Sequence, residues 1–147
     1  MWTLDTSVYV RAADPYDPDQ AICQALIDVL DDQAAPIIVP RLLLTEIAGA
    51  LRRLTRDPIR ARLAVDTLRS MPHIQLIPLD DALIDTAAEI AADYALRGAD
   101  ATYVAVARQY NCTLVSLDRE QRERSAAIVS TRTPAEALAE LQPPPSA

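Results

Sequence analysis

Lysine is absent from this chain of 147 residues, and all fourteen basic side chains are arginine. That excludes a receiver-like phosphoacceptor, which sets acids at strand ends beside a lysine. Histidine occurs once, as His73 next to Pro72. A Ser–His–Asp or Cys–His relay would have to run through that residue, and nothing around it supports one. Cys23 and Cys112 are the only cysteines, without the close spacing of a zinc site, and are expected to be reduced, packed thiols. No apolar run approaches the ~20 residues that span a bilayer. The N-terminus reaches Asp5 at once, with no basic stretch followed by an apolar one, so no signal peptide is expected. A cytoplasmic protein with no membrane role is the expectation.

What is present fits a folded protein. Half of the residues are hydrophobic, too many for a disordered chain. The net charge of −7 opposes indiscriminate binding to nucleic acid. The charge is uneven, however. Residues 41–69 carry seven arginines against Glu46, Asp57 and Asp66. Within that region Arg52, Arg53 and Arg56 follow Glu46 closely and can grip phosphates or a partner's carboxylates through paired hydrogen bonds. A solvated helix face with i,i+4 ion pairs explains such arginines equally well.

Strand-like and helix-like segments alternate. Strands are expected at residues 2–4, extending to about Asp5, and at 37–39, 74–77, 113–117 and 127–129. Between them, the spacing predicts helices from Asp19 to about Asp31, Leu42 to about Thr55, Asp57 to about Ser70, Asp80 to about Leu96 with a stop at Gly98, and Asp100 to about Tyr110. A last helix opens at Thr133-Pro134, with Glu136 at the capping-box position. The segments around Asp14-Pro15 and Asp17-Pro18, and after Asp118, read as loops. Apolar strands alternating with helices imply an α/β fold: a central parallel five-stranded sheet flanked by helices on both faces. Residues 1–142 are expected to form one domain, and 143–147, beginning Pro143-Pro144-Pro145, a loose tail.

Four acids stand in apolar or small-residue surroundings: Asp5, Glu46, Asp100 and Asp118. Asp5 and Asp118 close strands, and in a parallel sheet the functional crevice lies outside the carboxyl ends of the strands. Each has a plain structural account as well. Asp5 and Asp118 suit turns, Asp100 suits a helix N-cap, and Glu46 suits an ion pair with Arg52 or Arg53. A cluster of buried acids, though, needs a compensating cation, and a divalent metal with oxygen ligands supplies it. Ser7 and Ser116 stand near two of the acids as secondary hydroxyls. Glu89 and Asp93 read as the wet side of their helix.

Leu4-Asp5-Thr6-Ser7-Val8, Thr45-Glu46-Ile47, the run Gly98-Ala99-Asp100-Ala101-Thr102-Tyr103 with Val104-Ala105-Val106-Ala107 behind it, and Leu114-Val115-Ser116-Leu117-Asp118 together resemble the PIN-domain nucleases. The likeness is greatest to the VapC-type toxins of bacterial toxin–antitoxin pairs, and it runs from Asp5 to Asp118 in order. It places Asp5, Glu46, Asp100 and Asp118 on the family's acidic positions; Ser116 stands where the family more often has threonine. The resemblance implies a Mg²⁺ or Mn²⁺ site, endonucleolytic cutting of RNA, a homodimer and a cognate antitoxin. On that reading Asp5, Asp100 and Asp118 bind metal, and Glu46 binds it or orients a water. A haloacid-dehalogenase-like phosphatase wants a second aspartate two residues after the first, where this chain has Ser7. A PIN-type nuclease of RNA processing without an antitoxin, and a non-catalytic regulator of the same fold, remain as alternatives.

Overall fold

The computed structural model describes residues 1–142, so the proline-rich segment 143–147 lies outside the described residues. Five strands form one sheet: β1 (Trp2–Leu4), β2 (Ile37–Pro40), β3 (Ile74–Ile77), β4 (Thr113–Val115) and β5 (Thr131–Arg132). Their spatial order is β3-β2-β1-β4-β5 and every pairing is parallel. The connections carry α1 (Thr6–Ala13) and α2 (Gln20–Asp32), α3 (Leu42–Thr55) and α4 (Pro58–Ser70), then α5 (Asp81–Tyr94), α6 (Gly98–Gln109), α7 (Arg119–Ser125) and α8 (Pro134–Leu141).

The chain steps from β1 to β2 to β3 in one direction, then crosses to β4 and β5 on the other side of β1. Right-handed crossovers are expected to set α1–α4 and α5–α6 on opposite faces, and α8 returns to pack on α2. Accordingly α1 packs on α2 and α3, α3 on α4, and α5 on α6. Helix α6 lies across β1, β2 and β4. Residues 101–107 of α6 are all buried, which explains their unbroken run of apolar and small side chains. Leu4, Val39, Leu114 and Val115 of the strands meet Leu26, Leu30, Leu43, Ile47, Val104 and Val106 in one core. Among the described residues no helix is long and apolar enough to cross a membrane.

Local chemistry sets several boundaries as expected. Asp57 accepts hydrogen bonds from the Ile59 and Arg60 amides (2.8 and 3.4 Å), with Pro58 opening α4. Thr133 and Glu136 form the full capping box. Cys23 and Cys112 are free and buried, and burial pushes the Cys23 thiol up to about 11. His73 is structural, its Nε2 being 2.9 Å from Asp31 Oδ1.

Other boundaries differ. Helix α1 occupies residues expected to be loop. Asp19 makes no side-chain cap for α2, because its carboxylate is drawn to Arg11 (3.0 Å). Helix α5 stops not at Gly98 but at Ala95, whose φ of 52° is left-handed, so that Gly98 begins α6. Asp100 is therefore within the first turn of α6, and Arg97 is the N-cap residue. Helix α7 replaces the loop expected after Asp118. Residues 127–129 are a turn, where Ile128 and Val129 bond back to Ser125, and the fifth strand is displaced to Thr131–Arg132.

Candidate active site

The order β3-β2-β1-β4-β5 reverses direction at β1, and the crevice beyond the carboxyl ends of β1 and β4 is the topological switch point of the sheet. Leu4 pairs with Val115, and the Asp5 amide donates to the Val115 carbonyl at 2.9 Å. The residues that follow each strand, Asp5 on one side and Ser116 to Asp118 on the other, are thus side by side.

Asp5 is the N-cap of α1: its Oδ2 accepts from the Ser7 amide at 3.0 Å. It is only 8% exposed. Burial raises its pKa above the usual carboxylate range. Hydrogen bonds from Ser7 oppose that shift, while repulsion from Glu46 and Asp118 reinforces it. Asp118 has the same role for α7, with Oδ1 accepting from the Gln121 amide at 3.1 Å. Each helix therefore begins at an acid, and its amide-rich end faces that negative charge.

Glu46 reaches the group from α3. Its Oε2 accepts from Thr6 Oγ1 and from Tyr103 Oη, both at 2.6 Å, and those two hydroxyls are 2.6 Å from each other. Tyr103 is 1% exposed, so its hydroxyl needs such a partner. Burial, then the negative charge of Glu46, pushes the phenol's pKa up and keeps it a donor. Among the described residues Glu46 makes no ion pair with Arg52 or Arg53.

Asp100 projects from the first turn of α6. Arg97 Nε donates to its Oδ2 at 2.8 Å, and Arg97 Nη2 donates to Asp118 Oδ2 at 2.6 Å. The Asp100 pKa is nevertheless raised: burial outweighs the Arg97 contacts, and the charges of Asp5 and Asp118 add to it. All four acids therefore share one electrostatic neighbourhood. The secondary hydroxyls stitch its walls: Ser7 Oγ accepts from the Leu117 amide (3.3 Å) and Ser116 Oγ from the Asp118 amide (3.0 Å).

Hard oxygen donors carrying mutual repulsion suit a divalent cation such as Mg²⁺. Among the described residues no three of these carboxylates stand close enough together to enclose an ion as placed. The donor set fits such a metal in chemistry and charge. Sequence reasoning did not find Arg97, Thr6 or Tyr103. Signals for them existed: Arg97 and Tyr103 flank Asp100 at three-residue spacing, and a tyrosine in an otherwise apolar helix implies a buried partner for its hydroxyl.

The arginines of the basic region do not share one face. Arg52 lines a groove between α3 and α4 with Arg62 and Arg69. Arg53 lies over Gly49, on the Glu46 side of the helix, where a Cβ at position 49 would stand 3.2 Å from its Nη1. Arg56 is the left-handed C-cap of α3, with φ 56°.

Sheet order, helix placement and an acid-lined switch-point crevice define a parallel α/β protein with an acidic site. The chain belongs to the PIN domain family, whose model matches residues 3–127. Among solved structures it is similar to FitAcB from Neisseria gonorrhoeae (19% identity, TM-score 0.69, covering 91% of this chain and 98% of that one). It is also similar to VapC20 of Mycobacterium tuberculosis, a sarcin-ricin loop cleaving toxin (21% identity, TM-score 0.68, covering 86% and 95%). A third is VapBC2 from Rickettsia felis bound to a promoter DNA fragment (14% identity, TM-score 0.63, covering 90% and 97%). No curated protein matches this chain by sequence.

Proposed function

We propose that this chain is a Mg²⁺- or Mn²⁺-dependent endoribonuclease and the toxin of a toxin–antitoxin pair. The observation that carries the reading is the gathering of Asp5, Glu46, Asp100 and Asp118 at the switch point of a PIN-family sheet. Asp5, Asp100 and Asp118 would hold the metal, with Glu46 beside them. The ion, when bound, lowers the pKa of water and takes up charge developing on the phosphate. The chain's own part is positional. Thr6 and Tyr103 fix one oxygen of Glu46 and leave its Oε1 uncommitted among the described residues. The caps of α1 and α7 fix Asp5 and Asp118, and the buried face of α6 fixes Asp100.

RNA cleavage by the purified chain is expected to stop with excess EDTA and to return when Mg²⁺ or Mn²⁺ is added in excess of the chelator. Cleavage that persists unchanged in EDTA would sink the metal-dependent reading. If a panel of RNAs remains intact at every metal concentration, the chain is instead a non-catalytic relative.

Arg52, Arg53 and Arg56 are exposed and make no ion pairs among the described residues, which leaves them for the RNA backbone or an antitoxin carboxylate. Neutralising all three is expected to weaken RNA binding and to flatten the plot of log affinity against log salt. The slope should fall by about 0.7 for every phosphate the protein no longer neutralises. A slope equal to the parent's would return these arginines to the solvated face.

The antitoxin half of the proposal is supported by a toxin–antitoxin complex from Klebsiella pneumoniae among the similar structures. It is also supported by an apolar groove of about 350 Å³ between the early helices, lined by Tyr9, Ile27, Ile47, Leu51, Leu63 and Ala64. Such a groove accepts the apolar face of an amphipathic helix. The reading includes a homodimer, acting in the cytoplasm, with residues 1–142 as one domain.

A further inference from the structure

Arg97 is the one cation that bridges two of the four acids among the described residues. Its side chain is 74% exposed, whereas Asp100 and Asp118 are 16% and 29% exposed. It precedes α6 as the N-cap residue but supplies no cap hydrogen bond to that helix. Its guanidinium instead spans Asp100 Oδ2 and Asp118 Oδ2 with Nε and Nη2. The other oxygen of Asp118 is already taken by the Gln121 amide. Oδ2 is thus the Asp118 oxygen that takes no part in the helix cap, and an ion drawing on it meets Arg97.

We propose that Arg97 is an exchangeable cation of the active site: it shares Asp100 and Asp118 with the metal in competition, and once displaced it grips the scissile phosphate. The inference rests on the metal-dependent nuclease reading. Exchange is inexpensive because exposed ion pairs are weak and the long stem is free to swing through solvent. A planar guanidinium anchored one turn from Asp100 presents paired donors suited to a phosphate's oxygens. A residue that merely braced the fold would not show the opposing effects this role requires.

The test is Mn²⁺ binding by calorimetry on the full chain, paired with cleavage kinetics, for the parent, Arg97→Gln and Arg97→Lys. Arg97→Gln removes the competitor, so it should bind Mn²⁺ about fivefold more tightly. The same variant should lose roughly a hundredfold in kcat/KM for RNA, because a donor to the phosphate is gone. Arg97→Lys keeps a charge but not the two-pronged grip and should fall between on both readouts; it also serves if the glutamine variant does not fold. Mn²⁺ affinity unchanged or weakened in both variants overturns the proposal while leaving the nuclease reading intact. Tighter Mn²⁺ binding with undiminished cleavage overturns the phosphate role. Absence of Mn²⁺ binding in the parent itself overturns the metal reading and this inference with it.

Discussion

Replacing Asp5 by asparagine is expected to lower RNA cleavage by about a thousandfold while leaving the melting temperature within about 2 °C of the parent. The two halves of that result separate the acid's possible roles. Asn and Asp are equivalent helix caps, and the asparagine carbonyl oxygen can accept from the Ser7 amide as Asp5 does. The fold therefore keeps its bond at the start of α1. What disappears is a formal negative charge, 8% exposed and already repelled by Glu46 and Asp118. Removing it relieves repulsion in the protein and removes the anionic ligand a cation requires. Cleavage at the parent's rate would show that the acidic cluster is not catalytic. A melting temperature lower by roughly 10 °C or more, on the order of several kcal/mol, would make Asp5 a structural residue first.

Leu4→Ala is expected to destabilise the chain by about 3 kcal/mol, read as a fall of roughly 10 °C in melting temperature. Leu4 is fully buried in the central strand, between β2 and β4, and immediately precedes Asp5. Truncation removes transfer free energy and leaves a cavity where the rigid strand cannot collapse to fill it. Against a total of about 5–15 kcal/mol, such a loss is large. Because Asp5 is the next residue, part of the cost should be read in activity measured well below the melting temperature. A variant as stable as the parent would mean that the strand tolerates the void by local movement.

Most of the sheet was legible in the sequence because its strands are short apolar runs, with proline marking the limits of two: Pro36 precedes β2 and Pro40 closes it, and Pro78 follows β3. The capping box at Thr133 and the Asp57-Pro58 restart were equally readable, since each uses side chains within three residues of the boundary. Helices α1 and α7 were not. Their N-caps, Asp5 and Asp118, are also candidate site acids, so the signal for a helix start was read as a turn or a ligand. The stop at Ala95 was hidden because an alanine in the left-handed region carries no compositional mark. Strand β5, two residues long, is set by pairing with β4 rather than by its own composition. At the site, the acids were visible as charges in apolar surroundings. Their partners were not, because the hydrogen bonds of Thr6 with Tyr103 and of Arg97 with Asp118 join positions 97 and 21 residues apart.

The strand made first, β1, sits between its neighbours β2 and β4, and β4 is contributed by residues 113–115. While the chain is still emerging from the ribosome, Asp5 has neither the Val115 carbonyl to hold its amide nor Asp118 beside it. Whatever chemistry the four acids perform must wait until the chain has been synthesised past Asp118. A truncated or stalled product ending before residue 113 lacks both β4 and Asp118, so on the proposed reading it is expected not to cleave RNA.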